Sequence, residues 1–78
     1  MPTIRNIGPY RFFFYSGDRD EPPHIHVERE KSKAKFWLEP VRLESSCGFG
    51  QTEINRMQGL VEANRVLFLG RWNEFFSD

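Results

Sequence analysis

The sequence predicts an α+β domain in two layers, with an antiparallel sheet of about five short strands packed on one long C-terminal helix. Over residues 3–45, short segments alternate between apolar and polar residues and are separated by turn residues, which is typical of half-buried strands. From Gln51 onward the apolar residues instead recur at the three-or-four spacing of a helix. A length of 78 residues fits one domain, which we assign to residues 1–78.

The first two strands are predicted at residues 3–7 and 10–15, with a Gly-Pro turn between them. The second segment is almost entirely aromatic, so we expect a central strand with apolar contacts on both faces. Residues 16–21 are predicted to form a charged loop, and the double proline that follows stiffens its exit.

Residues 24–29 and 33–38 alternate strictly and are predicted to form a hairpin whose turn is centred between Glu30 and Lys31. This register pairs His24 with Trp37, Ile25 with Phe36, His26 with Lys35, Val27 with Ala34, and Glu28 with Lys33. A slip by one residue would carry two lysines into the core, so the apolar pattern selects this register. The face that carries His24, His26, Lys33, Lys35 and Trp37 is then expected to point towards solvent or a partner.

Residues 41–45 alternate again and give the fifth strand, and the long helix follows. Gly50 is the predicted N-cap, because Glu53 then occupies the capping-box position. Gly70 weakens the helix by about 1 kcal/mol relative to Ala, which leaves open a break near this residue. Phe76 departs from the apolar stripe, and we interpret it as an exposed apolar contact.

Composition excludes several classes of protein. Eleven basic and eleven acidic residues cancel, so the charge balance alone predicts no affinity for nucleic acid or membranes. Cys47 is the single cysteine, which excludes an internal disulfide and fits a reducing cytoplasm. The N-terminus has no signal-peptide pattern, and no apolar run approaches the roughly 20 residues of a membrane span. We therefore expect a cytoplasmic protein without a membrane segment.

Several short motifs of the chain occur together in one known family. They are Met1-Pro2-Thr3, Phe14-Tyr15-Ser16, Glu21-Pro22-Pro23-His24-Ile25-His26-Val27, Phe36-Trp37-Leu38-Glu39-Pro40-Val41, Gly48-Phe49-Gly50 and Trp72-Asn73-Glu74-Phe75. In these motifs the chain resembles the small bacterial domain of unknown function 4160. The resemblance implies a gene placed beside that of another small protein, in an arrangement that looks like a toxin–antitoxin pair. It implies no catalytic residues.

The first functional hypothesis is a metal-free ribonuclease in which His24 and His26 are catalytic. Histidines two residues apart on a strand point the same way, so their rings could flank a phosphate as acid and base. Lys33 and Lys35 on the same face would stabilise the negative charge of the transition state, and Trp37 would stack a base. Surface histidines on a strand also occur without any such role, and short motifs of this kind often arise by chance.

The alternative hypothesis is a protein-binding module without catalysis, in which Trp37 and the histidines anchor a partner protein. The partner would be a small protein encoded nearby or a second copy of the chain. A metal site is the least favoured reading, because two histidines provide only two ligands and nothing in the spacing brings Glu28 or Cys47 near them. The sequence therefore predicts no metal and no cofactor.

Overall fold

Five strands form one antiparallel sheet in the order of the chain: β1 (Thr3–Ile7), β2 (Tyr10–Phe13), β3 (His24–Arg29), β4 (Ser32–Leu38) and β5 (Val41–Cys47). The structure is a computed structural model and describes residues 3–77. Two helices follow, α1 (Gln51–Ala63) and α2 (Arg65–Phe76), and a short 3₁₀ helix (Ser16–Asp20) connects β2 to β3. The predicted α+β fold class is confirmed. Among the described residues, neither α-helix is long and apolar enough to cross a membrane.

The β3–β4 hairpin has the predicted register, from His24 opposite Trp37 to Glu28 opposite Lys33. Its two-residue turn places Glu30 at a φ of +56°, a left-handed conformation that side chains other than glycine adopt with strain. Both edge strands are irregular, because the register shifts within β1 and again where β5 pairs with β4. Such bulges are one way in which proteins discourage edge strands from pairing with other chains.

The hydrophobic core lies between one face of the sheet and the two helices. Its buried members from the sheet side are Tyr10, Phe12, Phe14, Ile25, Val27, Ala34, Phe36 and Leu38, and those from the helices are Ile54, Met57, Val61, Phe68 and Trp72. The rings of Phe12 and Phe68 meet at the centre, with their centroids 5.1 Å apart. Phe13 is also fully buried, but it lies on the opposite face of β2. The aromatic strand is therefore apolar on both faces, as predicted.

The C-terminal helix breaks at Asn64 and not near Gly70. The Asn64 side chain donates a hydrogen bond to the Leu60 carbonyl at 2.8 Å, as its own backbone N–H also does at 3.1 Å. Asparagine side chains compete in this way with the backbone ladder of a helix, whereas the glycine only lowers helix propensity. Both helices contribute buried residues to the same core.

The two ends of the helical segment also differ in detail from the sequence prediction. Gly50 is the N-cap as expected, but Glu53 makes no capping box, because it accepts hydrogen bonds from Tyr10 and Arg29. Phe76 is half-buried against Trp72, with a centroid distance of 4.3 Å, whereas Phe75 is 41% exposed. The prediction that Phe76 is the exposed ring was wrong. Phe76 follows Trp72 by four residues, so both side chains lie on the helix face that covers the core.

Candidate functional site

The candidate site lies at the start of β3, on the side of the strand opposite to the core residues Ile25 and Val27. His24 and His26 project from the same face of this strand, and their ring centroids are 5.0 Å apart and nearly perpendicular. Asp18 completes the group. The 3₁₀ helix after β2 carries its side chain over the beginning of β3, and only 8% of the residue remains exposed. We call Asp18, His24 and His26 the Asp–His–His cluster.

One oxygen of Asp18 holds the cluster together. Its Oδ2 atom accepts the backbone N–H of Tyr15 at 2.9 Å and lies 3.0 Å from Nε2 of both His24 and His26. Burial acts to raise the pKa of Asp18, but the Tyr15 hydrogen bond and the two nearby histidines outweigh it. The pKa therefore lies below its ordinary value, and the carboxylate is ionised at neutral pH.

His24 is completely buried, which differs from the solvent-facing position expected from the sequence. Its ring contacts Trp37 from the neighbouring strand and Trp72 from α2, at centroid distances of 5.7 and 4.9 Å. The Nδ1 atom lies 2.9 Å from the Pro22 carbonyl oxygen, which can only accept, so Nδ1 carries the proton. Nε2 is buried without a hydrogen bond, because the Asp18 oxygen is near but not in a bonding direction.

His26 is the histidine that reaches solvent, with 17% of its side chain exposed. Its Nε2 atom is hydrogen-bonded to Asp18, and its ring stacks on Phe13 at 5.4 Å and meets the ring of Tyr15 at 4.6 Å. Burial lowers the pKa of His26 below its ordinary value, although the Asp18 carboxylate acts in the opposite direction. The ring is therefore neutral at neutral pH, with Nε2–H donated to Asp18 and the lone pair at Nδ1.

A groove of about 270 Å³ runs from His26 across β4 to β5. It is lined by His26, Lys33, Ala34, Lys35, Ser45, Ser46 and Cys47. The Lys33 side chain is 57% exposed and lies 4.0 Å from Glu28. That of Lys35 is 17% exposed, pairs with Glu21 at 2.5 Å and lies 4.8 Å above the Trp37 ring. The groove thus joins a neutral histidine to two cationic side chains and two hydroxyls.

The structure brings together three of the five site residues predicted from sequence, namely His26, Lys33 and Lys35. Trp37 is half-buried and lies outside the groove lining, and His24 lies behind His26. Sequence reasoning missed Asp18, which it assigned to a charged loop. One signal was available, because the loop that contains Asp18 leads directly to the start of the next strand, where both histidines lie.

A family model described as Domain of unknown function (DUF4160) matches residues 10–73, which include the whole cluster and groove. No curated protein and no solved structure shows a significant match to the chain.

Proposed function

We propose that this chain, which belongs to the family Domain of unknown function (DUF4160), cleaves RNA in the groove beside His26, as one component of a toxin–antitoxin-like module. The supporting observation is that one groove contains a neutral, carboxylate-bound histidine and two lysines. The toxin–antitoxin part of the proposal is supported by the family resemblance of the sequence, and the RNA part by the chemistry of the groove.

The residues of the groove match the needs of phosphodiester cleavage. A neutral histidine held by a carboxylate can accept the proton of the ribose 2′-hydroxyl as its oxygen attacks the phosphorus. The bond to the 5′-oxygen then breaks, and this oxygen takes a proton from water. Proton transfer of this kind contributes typically about 10²–10⁴-fold to rate. Lys33 is exposed and therefore able to approach a phosphate, whose negative charge grows in the transition state. Ser45 and Ser46 also line the groove and add hydroxyl groups to it. His26 is thus the one histidine assigned a catalytic role.

The two-histidine scheme expected from the sequence does not fit this geometry. His24 has no exposed surface, and the Asp18 carboxylate occupies the space between the two rings where a phosphate would have to bind. A phosphate placed there would also meet a like charge. We therefore assign His24 to the support of Asp18 and His26 and not to contact with substrate.

The pairing of Lys35 favours a second candidate function, the protein-binding module. Its ammonium group lies 2.5 Å from Glu21 and 3.9 Å from Glu44, so the groove presents both signs of charge. Mixed charge of this kind suits a polar protein surface better than a phosphate backbone. On this reading a small protein encoded nearby would dock on the same face, with Trp37 at its margin.

The test uses purified protein and labelled single-stranded RNA, with His26→Gln and Lys33→Ala as variants. Gln keeps an amide N–H for Asp18 but cannot accept a proton, so we expect cleavage to fall at least about 100-fold. Arg56→Ala is the matched control, because it also removes one positive charge, from an exposed position on the helix side of the domain. We expect this variant to cleave like the wild type.

Two results would overturn the ribonuclease proposal. One is a wild-type protein that leaves RNA intact and does not arrest growth when it is expressed without its neighbouring gene. The other is cleavage that persists unchanged in His26→Gln, which would indicate a contaminating nuclease. The protein-binding candidate is then tested by calorimetry with the neighbouring gene product, where Trp37→Ala should weaken binding and Arg56→Ala should not.

A further inference from the structure

We infer that the Asp–His–His cluster binds one divalent transition-metal ion of the zinc class. The three side chains each offer one ligand atom, and these atoms all lie within 4.8 Å of one another. Two imidazole nitrogens with one carboxylate oxygen are a donor set that suits zinc, iron or nickel and disfavours magnesium and calcium, which prefer oxygen ligands alone. The sequence predicted no metal because nothing in the spacing brought a third ligand near the two histidines. In the structure Asp18 occupies that position, and the inference therefore reverses the prediction.

The unpartnered nitrogen of His24 is the observation that points to a cation. Its Nδ1–H is donated to the Pro22 carbonyl, so in the neutral ring the lone pair is at Nε2. Nε2 is fully buried, has no hydrogen bond among the described residues and lies 3.0 Å from an oxygen of the Asp18 carboxylate. Two electron-rich atoms this close in the interior repel each other unless a positive charge lies between them. A metal ion satisfies both atoms and His26 at once.

The dimensions of the cluster fit such an ion. Zinc–nitrogen and zinc–oxygen bonds are about 2.0–2.2 Å long, which in tetrahedral geometry places neighbouring ligand atoms about 3.3–3.6 Å apart. The Asp18 oxygen lies 3.0 Å from each of the two nitrogens, within a few tenths of an ångström of this separation. The two histidine nitrogens lie within 4.8 Å of each other, and the partly exposed His26 ring is the one with room to turn towards the ion.

The surroundings of the cluster hold the ligands as metal sites do. Histidine ligands typically donate their second ring N–H to a carbonyl or carboxylate, which is the contact between His24 and Pro22. The carboxylate is fixed in turn by the backbone N–H of Tyr15. Trp72 closes the site from the helix side. Three protein ligands leave a coordination position open, which is typical of catalytic and not of structural zinc sites.

Metal binding does not depend on RNA cleavage. An ion in the cluster would take the place of the proton on His26 Nε2, and the neutral ring would then carry its proton at Nδ1. In that state His26 would be a metal ligand and not the base proposed for RNA cleavage. A binding measurement without RNA therefore tests the site by itself. If the protein binds metal but cleaves no RNA, the proposed function fails and the metal site stands.

The test titrates untagged, chelator-treated protein with Zn²⁺ by calorimetry and with Co²⁺ by visible absorption. We expect one ion per chain, and we expect the visible absorption bands of bound Co²⁺ to indicate four- or five-coordinate metal. Asp18→Asn, His24→Gln and His26→Gln should each weaken binding at least about 100-fold, because even loss of a supporting contact costs about 10–100-fold. Asp20→Asn removes an exposed carboxylate from the same 3₁₀ helix and is the matched control. Cys47→Ser tests whether the thiol in the groove contributes a ligand. We expect Asp20→Asn and Cys47→Ser to bind metal like the wild type.

Absence of stoichiometric binding at 100-fold excess of either metal would overturn the site, as would equal binding by all three ligand variants. Nitrogen NMR of the histidines in the metal-free protein adds an independent check. We expect the resonances of both rings to shift on addition of Zn²⁺. A His24 ring that is protonated on both nitrogens and does not respond to Zn²⁺ would show that a proton, and no metal, balances Asp18. If one ligand variant fails to fold, as judged by circular dichroism, the other two decide.

Discussion

Replacement of Asp18 by Ala in metal-free protein should remove a large share of the stability of the domain. The substitution deletes the acceptor for the Tyr15 N–H, a cap-like bond whose loss typically costs about 1 kcal/mol. It also leaves the His26 Nε2–H without its partner, which costs about 1–3 kcal/mol for a buried donor. These two losses sum to about 2–4 kcal/mol, against a total of roughly 4–12 kcal/mol for a domain of this length. Relief of the repulsion between the Asp18 carboxylate and His24 Nε2 acts in the opposite direction, so the sum is an upper value.

Urea unfolding in the presence of a chelator measures this loss, with tryptophan fluorescence as the signal because Trp37 and Trp72 both contact the ring of His24. Asp20→Ala is the control and should change the unfolding free energy by less than about 0.5 kcal/mol, since its side chain is exposed. An Asp18→Ala protein as stable as this control would refute the reasoning, because it would mean that the Asp18 contacts add nothing to folding.

Three further outcomes are expected, each by urea unfolding. Phe68→Ala should cost about 3–5 kcal/mol, because the ring is fully buried against the aromatic strand, and a loss below 1 kcal/mol would contradict its central place. Gly48→Ala should destabilise by at least about 1–2 kcal/mol, because φ is +90° and the new Cβ would clash with the Ser32 side chain, whereas Gly59→Ala should not destabilise. The hydrogen bond from Lys35 lowers the pKa of Glu21, so its stabilising contribution is present above about pH 4.5 and is lost as the pH falls further. Glu21→Gln should therefore be less stable than wild type at pH 7 and equal to it near pH 2.

Much of the sheet could be predicted from the chain because local patterns decide it. Strict alternation in β3 and β4 permits one register, since a slip would bury lysines, and the structure has that register. The helix break is different. Gly70 lowers helix propensity but continues the helix, whereas Asn64 ends the first helix because its side chain reaches the Leu60 carbonyl. Which residue interrupts a helix depends on such contacts, and propensity alone does not reveal them.

By itself, the sequence determined the fold class, the strand pairing of the hairpin and the common face of His24 and His26. Only the tertiary structure decided that His24 is buried while His26 reaches solvent, and that one oxygen of Asp18 lies 3.0 Å from both rings. His24 is buried because Trp72, 48 residues further along the chain, packs over it from the second helix. Asp18 reaches both rings because the 3₁₀ helix folds back over β3. Contacts between residues so distant in the chain arise from packing, which leaves no periodic trace in the sequence.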